Sequence, residues 1–378
     1  MYIIRHIILS FAIILLITVV FSCIPRSNLV YTDFTELWSN GIRVLIGKSN
    51  AFKIISKGNL IFINGIPFGS EVNVRLTNNG IFVNDISVGT NVEVFSDGNM
   101  IFDGIEYRGF FRLIAKQKYI FVVNVVNLED YLESVVPSEV PALWPMEVLK
   151  AQAIVSRTYA LRKMIENKNK DYDVFASYKS QVYSGTKRIH PRSSRAVRET
   201  EGIVILHSNE IINAFFHANS GGLIESPEII GINSVPYLKP SIDKFSKETF
   251  RSYWTLVISQ DEFLKNVFGV KNLRLVHINI PNRMSSGSVK VIEIVATDGK
   301  VNKTNFLKID KFREIFPSIL SPKFEVEIKG KDIFFRGYGW GHGVGMSQWG
   351  AREMSLQGYN YREIIKYYYK DVELSKLY

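Results

Sequence analysis

The sequence predicts an α+β protein, in which an N-terminal β-hairpin repeat module is followed by a mixed α/β domain on a central antiparallel or mixed sheet. Three observations predict it. Turn signals recur every 20 residues between Asn59 and Leu113, an unbroken apolar run at 120–126 reads as a buried strand, and small and apolar residues after Pro145 recur at helical spacing. At roughly 150 residues per domain, 378 residues make two or three domains, each able to bury a core. The boundaries read as 1–23, 24–106 and 107–378, and a 46% hydrophobic composition excludes disorder as a description of the whole.

Residues 1–23 carry Arg5 and His6, then a mostly apolar run from Ile7 to Phe21, then Ser22-Cys23. The run is shorter than the ~20 residues a membrane-spanning helix prefers and suits a signal peptide. Cys23 stands where a lipidated cysteine would begin a mature bacterial lipoprotein; Val20 and Ser22 suit that pattern, and Phe21 is bulkier than usual. An uncleaved anchor or a buried cysteine is the other reading. Either way the body is expected in the cell envelope, outside the cytoplasm and held at a membrane. As the single cysteine, Cys23 also excludes internal disulfides, cysteine-rich zinc sites and a CxxC redox motif. The formal charge of +10 calls for an anionic partner. An extracytoplasmic location makes that partner wall polymer or membrane surface and sets nucleic acid aside.

The repeat reads Asn64-Gly65-Ile66, Asn84-Asp85-Ile86 and Asp103-Gly104-Ile105, with Gly69, Gly89 and Gly109 in step. An apolar run precedes each turn and an alternating one, such as Val72-Asn73-Val74, follows it. Asn-Gly and Asp-Gly favour the positive φ of type I′ hairpins. Nothing in the module pairs a nucleophile with a base, so scaffold or docking is its expected part.

After the strand at 120–126 comes an acidic cluster, Glu129, Asp130 and Glu133, and then Val136-Pro137-Ser138-Glu139-Val140-Pro141, read as a strand-like segment running into a helix. In that helix Pro145 suits the first position, and Leu149, Ala153, Ser156, Ala160 and Met164 form one stripe. Lys150 and Arg157 share another face with Glu147 and Ile154, either as a solvated surface or as contacts to an anionic substrate. Glu139, among valines and prolines, is either an acid whose pKa burial raises or a structural glutamate bonded to backbone.

Two polar segments follow. Phe216-His217-Ala218-Asn219-Ser220-Gly221-Gly222 reads as a strand entering a loop; His217 and Ser220 are candidate site residues, but no Gly-x-Ser-x-Gly elbow supports a serine hydrolase. Gly337, Gly339, Gly341, Gly343 and Gly345 occupy alternate positions, which in an extended chain leaves Trp340 and His342 on the other face, ready to line a cleft. The spacing is not GxGxxG, so nucleotide binding is rejected. Gln348 opens the next helix and joins the candidates, whereas Val344 and Met346 are expected in the core.

Four stretches together resemble the stage II sporulation protein D family, which includes the amidase enhancer LytB: 127–141 with 147–159, Ser180-Gln-Val-Tyr-Ser-Gly185, 216–222, and 337–351. The resemblance runs from about Tyr107 to the C-terminus. It implies a peptidoglycan lytic transglycosylase, which cleaves the β-1,4 bond between N-acetylmuramic acid and N-acetylglucosamine and leaves a 1,6-anhydro end. It also implies Glu139 as acid/base, because the family's glutamate occupies this Ser-Glu-x-Pro position. Lys150, Arg157, His217, Ser220, Trp340, His342 and Gln348 are the expected substrate contacts. Two alternatives stay open: a non-catalytic enhancer that binds an N-acetylmuramoyl-L-alanine amidase, and a wall-binding scaffold. Some family members hold zinc near the Gln-Val-Tyr segment. Here Ala176-Ser177-Tyr178-Lys179-Ser180 offers serine and lysine instead, so neither metal nor cofactor is expected.

Overall fold

The computed structural model describes residues 41–378. The apolar segment, Cys23 and residues 24–40 lie outside the described residues. Residues 42–378 make one compact unit in which helices and several sheets mix, the α+β class that the sequence predicts.

The repeat turns are tight hairpins joining Ile61–Ile63 to Ile66–Phe68, Gly80–Val83 to Ile86–Gly89, and Met100–Phe102 to Ile105–Tyr107. Both central residues of each turn have positive φ: 50° and 81° at Asn64-Gly65, 44° and 68° at Asn84-Asp85, 50° and 73° at Asp103-Gly104. That backbone twist matches the twist of the flanking strands. The first hairpin ends a seven-stranded sheet that includes Ile42–Ser49, Ile120–Val126, Phe110–Ala115 and Asn91–Ser96. The second and third lie at opposite ends of a six-stranded sheet, with Ala51–Ser56 and Glu71–Thr77 between them. Val72, Val74, Val92 and Val94 point inward. The two sheets meet closely enough that a Cβ on Gly47 would stand 2.6 Å from the Phe102 ring.

Strand Ile120–Val126, buried at six of its seven positions, lies between Ile42–Ser49 and Phe110–Ala115, both antiparallel to it. It leads into helix α1, Leu128–Glu139, where the Asn127 side chain accepts from the Glu129 backbone N–H at 2.8 Å. The strand-like reading of 136–141 is thereby corrected as far as Glu139. Leu128, Tyr131, Leu132, Val135 and Val136 are all buried, and their spacing of three and four builds the inward face of a helix that runs through Pro137.

Helix α2, Met146–Glu166, begins one residue after Pro145 and is buried almost all round, Val148, Ile154, Arg157 and Leu161 included. After α3, Pro191–Glu199, the chain builds a lobe with its own core between Tyr253 and Tyr338. In it two three-stranded sheets and helices α4, Gln260–Phe268, and α5, Ile309–Ile315, pack around Phe263, Phe312, Phe316, Phe324 and Phe335. Helices α6, Gln348–Leu356, and α7, Tyr361–Tyr368, then join the core around α2. Glu373–Lys376 closes the chain antiparallel to Ile203–His207.

Candidate functional site

Glu139 is the last residue of α1, so its carboxyl stands where the helix ends rather than on a helix face. It borders a cleft of about 640 Å³ walled by Trp144 and Tyr159 of the α2 region, Val182, Phe216 and His217, the loop at Trp340–His342, and Gln348 and Trp349 of α6. Five of the expected residues therefore converge: Glu139, His217, Trp340, His342 and Gln348.

The Glu139 carboxyl accepts the Val182 backbone N–H at 2.7 Å. Burial among apolar walls pushes its pKa up to about 7, and the bonds from Val182 and the Gln348 amide only partly offset this. The Gln348 amide also donates to Gln152 Oε1 at 3.4 Å, and Gln152 in turn donates to Ser156 Oγ at 3.0 Å. This buried relay orients the group that faces the acid. Val182 is available because its neighbours point inward: Gln181 accepts from the Tyr131 hydroxyl at 3.1 Å, and the Tyr183 hydroxyl donates to Asn124 Oδ1 at 2.7 Å. The Gln-Val-Tyr motif was visible in the sequence; that its middle backbone N–H does the work was not.

The glycine-rich segment is not an extended strand beyond Tyr338, which corrects the sequence reading. Gly339, Gly341, Gly343 and Gly345 have φ of 83°, 108°, 84° and 72°. At Gly345 a Cβ would lie 1.9 Å from the Phe215 carbonyl oxygen, and at Gly341 it would lie 2.8 Å from His217 Cβ. Positive φ and close approach together demand glycine there. The resulting turns set Trp340 and His342 on the cleft and sink Val344 and Met346 into the core. Backbone bonds between Asn219 and Trp340, at 2.9 and 2.7 Å, tie the segment to the polar loop after His217.

His217 and His342 lie with ring centroids 5.6 Å apart. Burial drives the His217 pKa well below its ordinary value and, with the Arg313 charge adding to it, brings His342 down to about 4. Both rings are neutral at neutral pH.

The aromatic rim was not foreseen as a set. Trp144 meets Trp349 edge to face at 4.9 Å, and Phe250 packs on Trp349 at 5.3 Å. The Arg251 guanidinium sits 4.4 Å from the Trp340 ring centre, and Arg352 sits 5.3 Å from that of Trp349. A saccharide ring can lie against such surfaces, with its hydroxyls free for the polar groups.

The other expected residues are not on the cleft walls. Arg157 is fully buried and forks onto Glu129 at 2.6 and 2.7 Å, with further bonds to the Ile203 and Val197 carbonyls. Lys150 pairs with Glu199 at 2.8 Å and Glu147 at 3.3 Å. Ser220 donates to buried Asp243 at 2.8 Å, an acid partner the sequence did not mark, within a network that includes Ser246 and Ser347. Asp130 and Glu133 both pair with Arg108.

The segment at 176–180, where the resemblance would place zinc, does not fit that ion. Ser180 Oγ accepts from the Phe175 backbone, and the remaining side chains are serine, tyrosine and lysine. Among the described residues no three His, Cys, Asp or Glu side chains gather as metal ligands.

Comparison with known proteins adds a family. The model of the stage II sporulation protein family matches residues 116–207, the stretch from before α1 through α2 and α3 that includes Glu139. The chain is 34% identical, over 72% of its length, to an uncharacterised protein of Brachyspira hyodysenteriae, of which it covers 73%. It is 31% identical over 67% of its length to stage II sporulation protein D of Bacillus subtilis, covering 76% of that protein. To the amidase enhancer of Bacillus subtilis it is 28% identical over 65% of its length, covering 40% of that longer protein.

Proposed function

Because this chain belongs to the stage II sporulation protein D family, we propose that it remodels the cell wall as a peptidoglycan lytic transglycosylase with Glu139 as its single acid/base. The observation that carries this reading is a carboxyl with its pKa raised to about 7 in an aromatic-walled cleft. A neutral carboxyl can protonate the glycosidic oxygen between N-acetylmuramic acid and N-acetylglucosamine as that bond breaks. The muramic acid 6-hydroxyl attacks the anomeric carbon, and the carboxylate takes the hydroxyl proton. One carbon–oxygen bond breaks, another forms and Glu139 regains its proton, so no water is consumed. A single carboxyl suffices, unlike the carboxyl pair of ordinary glycoside hydrolysis.

The likeness to an amidase enhancer supports a second reading, in which the chain raises the activity of a cell-wall amidase. Either activity belongs in the envelope, outside the cytoplasm, with Cys23 as lipid attachment point and the basic surface turned to wall or membrane. Among the described residues no helix is long and apolar enough to cross a membrane.

The test is digestion of purified peptidoglycan, with and without stem peptides, followed by mass spectrometry. The native protein is expected to release 1,6-anhydro fragments and Glu139→Gln to release none. Equal yield from the two would refute the assignment of Glu139. Acceleration of an added amidase that persists in Glu139→Gln, with no anhydro fragments from either protein, would establish the enhancer reading instead.

A further inference from the structure

Two buried side-chain polar atoms among the described residues have no hydrogen-bond partner, Asn213 Oδ1 and His217 Nε2, and His217 is the one that lines the cleft. The residue is 4% exposed. Its hydrogen positions follow from its neighbours. Nδ1 lies 3.1 Å from the Val344 carbonyl oxygen, which can only accept, so Nδ1 carries the hydrogen and Nε2 is a bare lone pair. The same residue orients the second ring, because the Val344 N–H donates to His342 Nδ1 at 3.0 Å. His342 therefore keeps its hydrogen on Nε2, bonded to the Phe216 carbonyl, and has none to offer His217. Gly341 lets the loop close against His217 Cβ.

We propose that His217 Nε2 is a fixed acceptor that selects a neutral hydrogen-bond donor of the substrate, a hydroxyl or amide N–H of the N-acetylhexosamine bound beside Glu139, and rejects an anionic group at that place. A lone pair held in a dry wall repels carboxylate or phosphate oxygens and gains most from a donor, since a buried acceptor left unmatched has lost its water without replacement. The ring holds protons too weakly to act as a base, so its part is orientation and Glu139 keeps the proton transfers. This inference rests on the saccharide reading of the cleft.

The test uses the mature chain labelled with ¹⁵N-histidine and ¹⁵N-tryptophan, with His217 assigned by the resonance lost in His217→Gln, and chitotetraose as probe. In the free protein Nδ1 is expected to be protonated and Nε2 bare across neutral pH. Chitotetraose should perturb the indoles and move Nε2 to the hydrogen-bonded position. Cellotetraose, which keeps hydroxyls and lacks acetamides, then assigns the donor: a shift means hydroxyl, no shift means amide. His217→Leu should weaken chitotetraose about tenfold, while His217→Gln, which restores an acceptor, should stay within about threefold. Indoles that respond while Nε2 stays put, or an Nε2–H tautomer in the free protein, would overturn the role of His217 and leave the cleft reading intact. No response from indole or imidazole would overturn both.

Discussion

At the scale of single residues, Glu139 holds its proton to about pH 7 because burial disfavours the charged form. The sign of its effect on stability follows. Its folded pKa exceeds the ordinary 4.5, so ionising it inside the fold is unfavourable, and the stability it allows is complete below about pH 4.5 and lost as pH rises through about 7. Glu139→Gln removes that titration. Thermal melts should find the variant as stable as the native chain near pH 4 and more stable above pH 7; a less stable variant at pH 8 would mean that the ionised carboxyl is well solvated. Arg157 behaves oppositely. Replacing it by alanine removes a fully buried guanidinium, leaves the Ile203 and Val197 carbonyls without that donor and half-buried Glu129 with its Tyr378 bond but no cation, and should cost about 3–5 kcal/mol in denaturant unfolding, against less than ~1 kcal/mol for Lys150→Ala. A loss below ~1 kcal/mol for Arg157→Ala would show that Glu129 finds water. Spacing along α2 placed Lys150 and Arg157 on one face, but could not show that Glu129, 28 positions earlier, would claim Arg157. The apolar setting of Glu139 was legible because valines and prolines flank it, but those neighbours fit a structural glutamate equally well, and only the family resemblance singled it out as acid/base.

At the scale of elements, the hairpins were legible because each depends on two adjacent residues, whereas α1 was misread because Pro137 and Pro141 outweighed the helical spacing of its buried face. In the glycine-rich segment alternation was a true signal of the wrong conformation. Gly339, Gly341, Gly343 and Gly345 recur because the chain turns at each of them, and what they must avoid, such as the Phe215 carbonyl, lies over a hundred residues away. The contrast can be measured. Gly345→Ala, 1.9 Å from backbone at positive φ, should unfold the protein or lower its melting point severely. Gly65→Ala, at positive φ in open space, should cost only about 1–2 kcal/mol. Equal effects would contradict the close approach at Gly345.

At the scale of the whole molecule, the cleft draws on segments from α1 to α6, so only the complete fold brings Glu139, His217, Trp340, His342 and Gln348 together. The lobe between Tyr253 and Tyr338 has a separate phenylalanine core that no sequence motif announced, since its phenylalanines scatter over some seventy positions. Phe312→Ala there should cost about 3–5 kcal/mol, read by denaturant unfolding, and a loss under ~1 kcal/mol would mean that the lobe is loosely packed. The central claim concerns one proton in one cleft. The measurement closest to it is the rate of release of 1,6-anhydro ends by the mature chain as a function of pH. The account predicts a rate that falls with the loss of one proton above about pH 7, and no release by Glu139→Gln. A rate that climbs steadily through pH 7 to 9, or the absence of anhydro ends at every pH, would contradict it.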